Sequence, residues 1–274
     1  ANETHHPSSP QVLPGNPKLP PKPGLDNTDW MTSIPDETPL SIITIAGIRL
    51  LFGKSKMWIV EQKLKDGIRY FDINVGYLIR STKWMVEEVL LPISIFLRTH
   101  SHEVVLVRLT IHGRTKGIAD DFINTAMEKF KDIMWTKQST PTMKEARGKI
   151  VFLRTESFSL GVEHYKFKIF GSNMLVNFEN NIELLKSDVC GGQPVIIESP
   201  ASDHQSLKEL KEFVQKHISS SSGLGCLGII SMEDPQSDLI NSIVHLRPCG
   251  CSEMGPRASP GPGVFSLDTF DKHL

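Results

Sequence analysis

The chain has 274 residues, 39% hydrophobic and 22% charged, which suits one large single-core domain, or one domain with a tail. With 30 Lys+Arg against 31 Asp+Glu, it offers no electrostatic case for nucleic acid or an anionic membrane surface as a partner. No uninterrupted apolar run approaches the length of a membrane span, and the start carries no apolar signal-peptide core.

Ala1 stands where a Met would, which fits a processed chain, and Asn2-Glu3-Thr4 is a glycosylation sequon that counts only in a secretory compartment. Residues 1–28 are rich in Pro, Ser and Asn, with PKLPPKP at 17–23, and read as an extended arm with little to bury. The domain proper is expected over 29–274. SIITI (41–45) is β-branched and predicts a buried strand. KMWIVEQKLKDG (56–67) has helical spacing and stops on Gly67. IRYFDINV (68–75) predicts a strand, and VEEVLLPISIFLRTH (86–100) a helix that Pro92 kinks. EVVLVRLTI (103–111) is the clearest strand, and 120–134 is helical by spacing. Further strands are predicted at 149–155, 173–178, 193–199, 226–231 and 263–270, with an amphipathic helix over 206–218.

Strands alternate with helices, and several strands are almost continuously apolar, which argues for a parallel sheet covered by helices. The number of strands, without a dinucleotide-type glycine fingerprint after the first, favours a TIM-type (β/α)8 barrel, or a distorted form of one that lacks its last covering helix. The chain ends at Leu274, soon after the last strand. The face left bare is a candidate contact surface that the arm covers within the molecule or in a homodimer.

The four cysteines, Cys190, Cys226, Cys249 and Cys251, fall in the C-terminal third. In a secreted protein they make two disulfides. Cys249 and Cys251 flank a single Gly, so a bond between them is strained. Each therefore pairs with Cys190 or Cys226, in an order the sequence leaves open.

The order of segments resembles the bacterial-type phosphatidylinositol-specific phospholipase C family. The resemblance rests on WMTSIPDETPLSIITIAG (30–47), KDGIRYFDI (65–73), FLRTHSHEVVLVRL (96–109) and MKEARGKIVFLR (143–154). NMLVNFENN (173–181) and GVFSLDTF (263–270) fit later strands. The family cleaves phosphodiesters with two histidines, an arginine on the phosphoryl oxygens and acids that orient the histidines. Carried over position by position, the first histidine falls on Arg49 and the acid after it on Leu50. The phosphate-binding arginine falls on Asn74, and no histidine occurs between His6 and His100. The lysine of the fourth strand becomes Thr110, and the residues that hold the inositol ring become Phe178 and Asn180. Arg154 and Asp268 match a substrate-side arginine and an orienting acid. A guanidinium cannot serve as a general base, so the resemblance implies a secreted, non-enzymatic relative that binds a small anionic ligand or another protein. The alternative is an active phosphodiesterase with relocated groups, His112 and Asp72 foremost. No metal or cofactor is expected.

Two readings of the barrel mouth follow. Arg49, Asp72, Asn74, Arg154 and Asp268 form a ligand pocket for a small anion. Alternatively, Arg49, Arg108 and Arg154 are compensated internally by Asp72 and Asp268. His112 lies at the end where such folds place function, and His100 and His102 at the other.

Overall fold

The computed structural model describes residues 27–76, 78–113, 116–169, 174–198, 204–220, 225–251 and 264–267. The Pro-rich arm up to residue 26, the sequon at Asn2, and Asp268 lie outside the described residues.

Nine strands form one sheet: β1 (Ile45–Leu51), β2 (Tyr70–Gly76), β3 (Val105–His112), β4 (Met134–Trp135), β5 (Ile150–Leu153), β6 (Tyr165–Ile169), β7 (Val195–Glu198), β8 (Ile229–Met232) and β9 (Val264–Leu267). Their order is β4-β5-β3-β2-β1-β8-β7-β6-β9. Every ladder is parallel except β6 with β9. This is a distorted TIM-type barrel with a seam. Val162 bridges Leu153 at the end of β5, and the chain then enters β6 through only Glu163 and His164.

Alternation along the strands divides the core in two. Ile45, Tyr70, Leu106, Val151, Ile196 and Ile229 point into the barrel, over a floor of Met31, Ile34, Leu40 and Met143. Ile48, Phe71, Ile73, Val107, Leu109, Phe152, Ile197 and Ile230 point outward. They meet the helical layer of α1 (Met57–Asp66), α2 (Ile79–Trp84), α3 (Leu91–Thr99), α4 (Lys116–Met127), α6 (Met174–Val189), α7 (His204–Ser220) and α8 (Ser237–Val244), while the short α5 (Met143–Ala146) packs on the barrel floor. Gly47 is needed by close approach: a Cβ there would lie 2.3 Å from the Tyr70 ring, which crosses the barrel interior at that level.

Gly67 ends α1 with φ +115°, a conformation open to Gly. Pro92 does not simply kink its helix. A π-helical stretch, Met85–Leu90, links α2 to α3 immediately before it, where the proline lacks an N–H for the carbonyl one turn back.

Two strand expectations are corrected. SIITI opens in a 3-10 turn, Leu40–Ile42, whose backbone is held by contacts at the barrel floor: Leu40 N–H donates to Pro141 O and Cys249 N–H to Ile42 O. The strand begins at Ile45. The segment 173–178 opens α6 instead of forming a strand, so Phe178 and Asn180 ride on a helix. The strand that fills this place is β6, which the sequence reading missed.

Candidate functional site

β1, β2 and β3 run parallel, so their inward residues meet in layers. Arg49 aligns with Asp72 and Asp72 with Arg108; one step toward the C-terminal mouth, Asn74 aligns with Thr110, and at the rim Gly76 aligns with His112. Across the barrel, Glu198 on β7 aligns with Ser231 on β8. Leu50, expected at the site, faces outward into the helix-packed core and takes no part.

The layer is mutually charge-compensated. Arg108 Nη1 lies 3.8 Å from Asp72 Oδ1 and Arg49 Nη2 3.7 Å from Glu233 Oε1; Arg154, on the opposite phase from inward Leu153, has its Nη1 3.2 Å from Glu163 Oε1. Lys166 Nζ lies 3.0 Å from Glu198 Oε1. Arg108 Nε donates to His164 Nε2 at 3.3 Å. The acids that balance Arg49 and Arg154 are thus Glu233 and Glu163, neither of which the sequence reading named.

Burial sets the protonation of this layer. It raises the Asp72 carboxyl above its ordinary value, opposed by the Arg108 and Lys166 cations. It pushes the Tyr70 phenol well up. Burial would raise Glu198 as well, but Lys166 and Arg108 bring it below the usual carboxylate range. His164 is held down at about 3, first by burial and then by Arg108 and Lys166. The Tyr70 hydroxyl, the Ser231 hydroxyl and Asp72 Oδ1 are buried without a hydrogen-bond partner among the described residues.

His164 carries a pH consequence. Its native value is about 3 against an ordinary 6.5. Between those values the unfolded chain binds a proton that the native chain does not, so stability falls as pH drops below the ordinary value. From pH 7 to pH 5 the expected loss is about 2 kcal/mol, at 1.36 kcal/mol per pH unit below the ordinary value. In urea unfolding His164→Gln should lose that much less than wild type over the same interval. An identical pH response in both proteins would show that His164 does not carry the effect.

At the rim the balance changes. His112 is exposed, and its Nε2 lies 3.0 Å from Asn74 Oδ1. With the amide oxygen accepting from Nε2–H, the lone pair sits on Nδ1. Leu51, Phe52, Trp58, Leu78 and Ile79, at the end of β1, on the β1–α1 and β2–α2 connections and at the helix starts after them, are exposed large apolar residues; Trp58 is 68% and Ile79 67% exposed. Exposed Lys54, Lys56, Arg80 and Lys83 stand among them.

The cysteines pair as Cys190–Cys251 and Cys226–Cys249. Three of them, Cys190, Cys249 and Cys251, also make the one grouping of metal-type ligands among the described residues, and in this oxidised form they offer no thiolate to a metal.

No family model matches the chain. It is 26% identical over 158 residues to a 1-phosphatidylinositol phosphodiesterase of Listeria monocytogenes, across 48% of this chain and 50% of that protein, so the match spans half the length of that relative. The fold is similar to that of the phosphatidylinositol-specific phospholipase C from Listeria monocytogenes, with a TM-score of 0.64 at 20% identity, covering 81% of this chain and 99% of that one. A Staphylococcus aureus phosphatidylinositol-specific phospholipase C gives a TM-score of 0.55 at 14% identity over 80% and 97% of the two chains. The resemblance to this type of phospholipase therefore holds in sequence and in fold. The same relatives overturn the expectation of a non-enzyme drawn from Arg49, Leu50 and Asn74, since they are named as enzymes. The physical flaw in that expectation is that proton transfer needs a titratable group at the mouth and not on one given strand, and His112 stands there.

Proposed function

We propose that this chain is an extracellular phosphodiesterase that takes the phosphodiester of a lipid head group at the C-terminal mouth of its barrel, with His112 as the proton-carrying group. The observation that carries the reading is the exposed His112–Asn74 pair on the rim, above a layer that holds Arg49 and Arg108. In this reading His112 Nδ1 takes the proton of the attacking hydroxyl. The new P–O bond forms as the bond to the leaving oxygen breaks, and the proton passes to that oxygen. The arginines beneath stabilise charge on the phosphoryl oxygens. The catalytic domain in this reading begins by Asn27, since the carbonyls of Asn27 and Thr28 accept from the buried Arg69.

The rim supports a lipid substrate. An aromatic and aliphatic surface edged by lysine and arginine suits the boundary between head groups and acyl chains. The near-zero charge of the whole chain averages this local basic edge away. Two disulfides fit an oxidising compartment, and among the described residues no helix is long and apolar enough to cross a membrane.

The test is release of water-soluble phosphoinositol from mixed phosphatidylinositol and phosphatidylcholine vesicles, alongside a soluble aryl phosphodiester. Turnover favouring the vesicles is expected. Absence of turnover on both substrates overturns the reading. Trp58→Ala is expected to weaken vesicle co-sedimentation several-fold while leaving thermal stability nearly unchanged, because an exposed side chain contributes little to folding. Unaltered sedimentation would remove Trp58 from the lipid-facing surface.

A further inference from the structure

The two disulfides lie against each other. Cys190 follows the last residue of α6, Cys226 precedes β8, and Cys249 and Cys251 follow α8. Cys190 Sγ is 3.7 Å from Cys249 Sγ, the sulfur of the other bond. The sulfurs of Cys190, Cys249 and Cys251 all lie within 4.8 Å of one another. Exposure divides the pairs: Cys190 and Cys251 are half-buried, while Cys226 and Cys249 are 6% and 4% exposed.

From this arrangement we infer that the four cysteines form a thiol–disulfide exchange centre, opened from outside by a dithiol at Cys190–Cys251 and completed inside by attack of Cys190 on Cys249. The external thiolate bonds to Cys251 Sγ, and Cys190 leaves as a thiolate. The second thiol of the reductant resolves the mixed disulfide. The reductant departs as a disulfide, and Cys251 is left as a thiol, which accounts for two electrons. The Cys190 thiolate then bonds to Cys249 Sγ as the Cys226–Cys249 bond breaks, and Cys226 leaves as a thiolate and takes up a proton. This second step is an isomerisation with no net oxidation.

Access fixes the order. Exchange needs an approachable sulfur and a thiolate, and the outer bond meets solvent while the inner one does not. Cys190 is the sulfur poised to carry the attack inward, because closing 3.7 Å to a bond asks for side-chain rotation and a small backbone adjustment. The rearrangement has a structural consequence. Cys251 heads the segment that runs to β9, and β9 pairs with β6, the strand carrying Lys166 of the barrel interior. The exchange moves the tether to the end of α6 from Cys251 back to Cys249 and releases Cys226 ahead of β8, so the reducing state of the surroundings changes which part of the chain ahead of β9 is held.

The experiment treats the full oxidised chain with limiting dithiothreitol, quenches with iodoacetamide, and locates alkylated and linked cysteines by tandem mass spectrometry, which separates Cys249 from Cys251 across Gly250. The expected singly reduced species carries a Cys190–Cys249 link with Cys226 and Cys251 alkylated. A species that keeps Cys226–Cys249 with Cys190 and Cys251 alkylated overturns the proposal, because the inner bond is then a staple that Cys190 does not reach. Simultaneous opening of both bonds overturns it as well. Cys251→Ser provides an independent arm without reductant: a Cys190–Cys249 link with Cys226 alkylated is expected, and a retained Cys226–Cys249 link counts against exchange.

Discussion

Replacing Glu103 with alanine is expected to lower folding stability by about 3–5 kcal/mol, measured as a lower urea midpoint at unchanged slope. Glu103 and Arg69 are an ion pair with both side chains fully buried. Arg69 donates to Glu103 Oε1 through Nε at 3.2 Å and Nη2 at 2.9 Å. Its remaining N–H groups go to backbone carbonyls: Leu64 O at 2.7 Å, Ile68 O at 2.8 Å, Thr28 O at 2.8 Å and Asn27 O at 3.1 Å. Glu103 Oε1 also accepts from Met31 N–H at 3.2 Å. The pair thus ties the end of α1, the start of β2 and the first turn of the described chain to the residue ahead of β3. Burial lowers the Arg69 guanidinium from its ordinary value and raises the Glu103 carboxyl, so each charge is tolerated because the other is present. Alanine leaves a buried guanidinium without a counter-charge. Glu103→Gln keeps an acceptor and should lose less. A loss under about 1 kcal/mol, the ceiling usual for surface pairs, would show that the backbone carbonyls suffice for Arg69.

His112→Ala is expected to reduce phosphodiester turnover about a hundredfold, the lower end for loss of a general acid–base group, or about 2.7 kcal/mol of transition-state stabilisation. The loss should appear in kcat with vesicle affinity retained, since the imidazole acts on a proton and not on the lipid surface. Trp58→Ala should show the reverse division, weakening attachment to vesicles and sparing turnover of a soluble phosphodiester. Asn74→Ala, which removes the acceptor that orients the ring, should fall between wild type and His112→Ala. If His112→Ala leaves kcat intact, the proton carrier lies elsewhere in the mouth.

The strands whose outward faces pack under helices were legible from sequence, because β2 and β3 need apolar residues there and carry few polar ones. The chain stop at Gly67 was legible for the same reason that the structure uses it, a left-handed residue ending α1. β6 was not legible. In Tyr165–Ile169 the inward residue Lys166 is accommodated by Glu198 on the next strand, so the apolar signature of a barrel strand is broken by a partner distant in sequence. The segment opening α6 looked like a strand because its first residues are apolar in succession, while the buried residues that mark it as helix, Leu184, Leu185 and Val189, come two turns later. The site shows the same division. Arg49, Asp72 and Asn74 could be placed by strand phase, whereas Arg154 follows Leu153, which itself takes the inward phase. Glu163, His164, Glu198 and Glu233 are their neighbours only through the folding of the sheet, and the alternation of His164 with Lys166 was the one local sign of an inward polar row.

The seam between β5 and β6 means that the sheet is built from two arcs. The first comprises β4, β5, β3, β2 and β1, all from the N-terminal part of the chain; the second comprises β8, β7, β6 and β9, all from the C-terminal part. One ladder, β1 with β8, joins them among the described strands. Both disulfides fall within the second arc's share of the sequence. During synthesis the first arc is therefore complete before any cysteine has emerged, and it must persist on side-chain burial, its strand ladders and ion pairs such as Arg69–Glu103, without a covalent tie. Covalent reinforcement reaches only the arc made last, so the two halves of one barrel answer to different hazards, heat and loss of packing in the first and a reducing environment in the second.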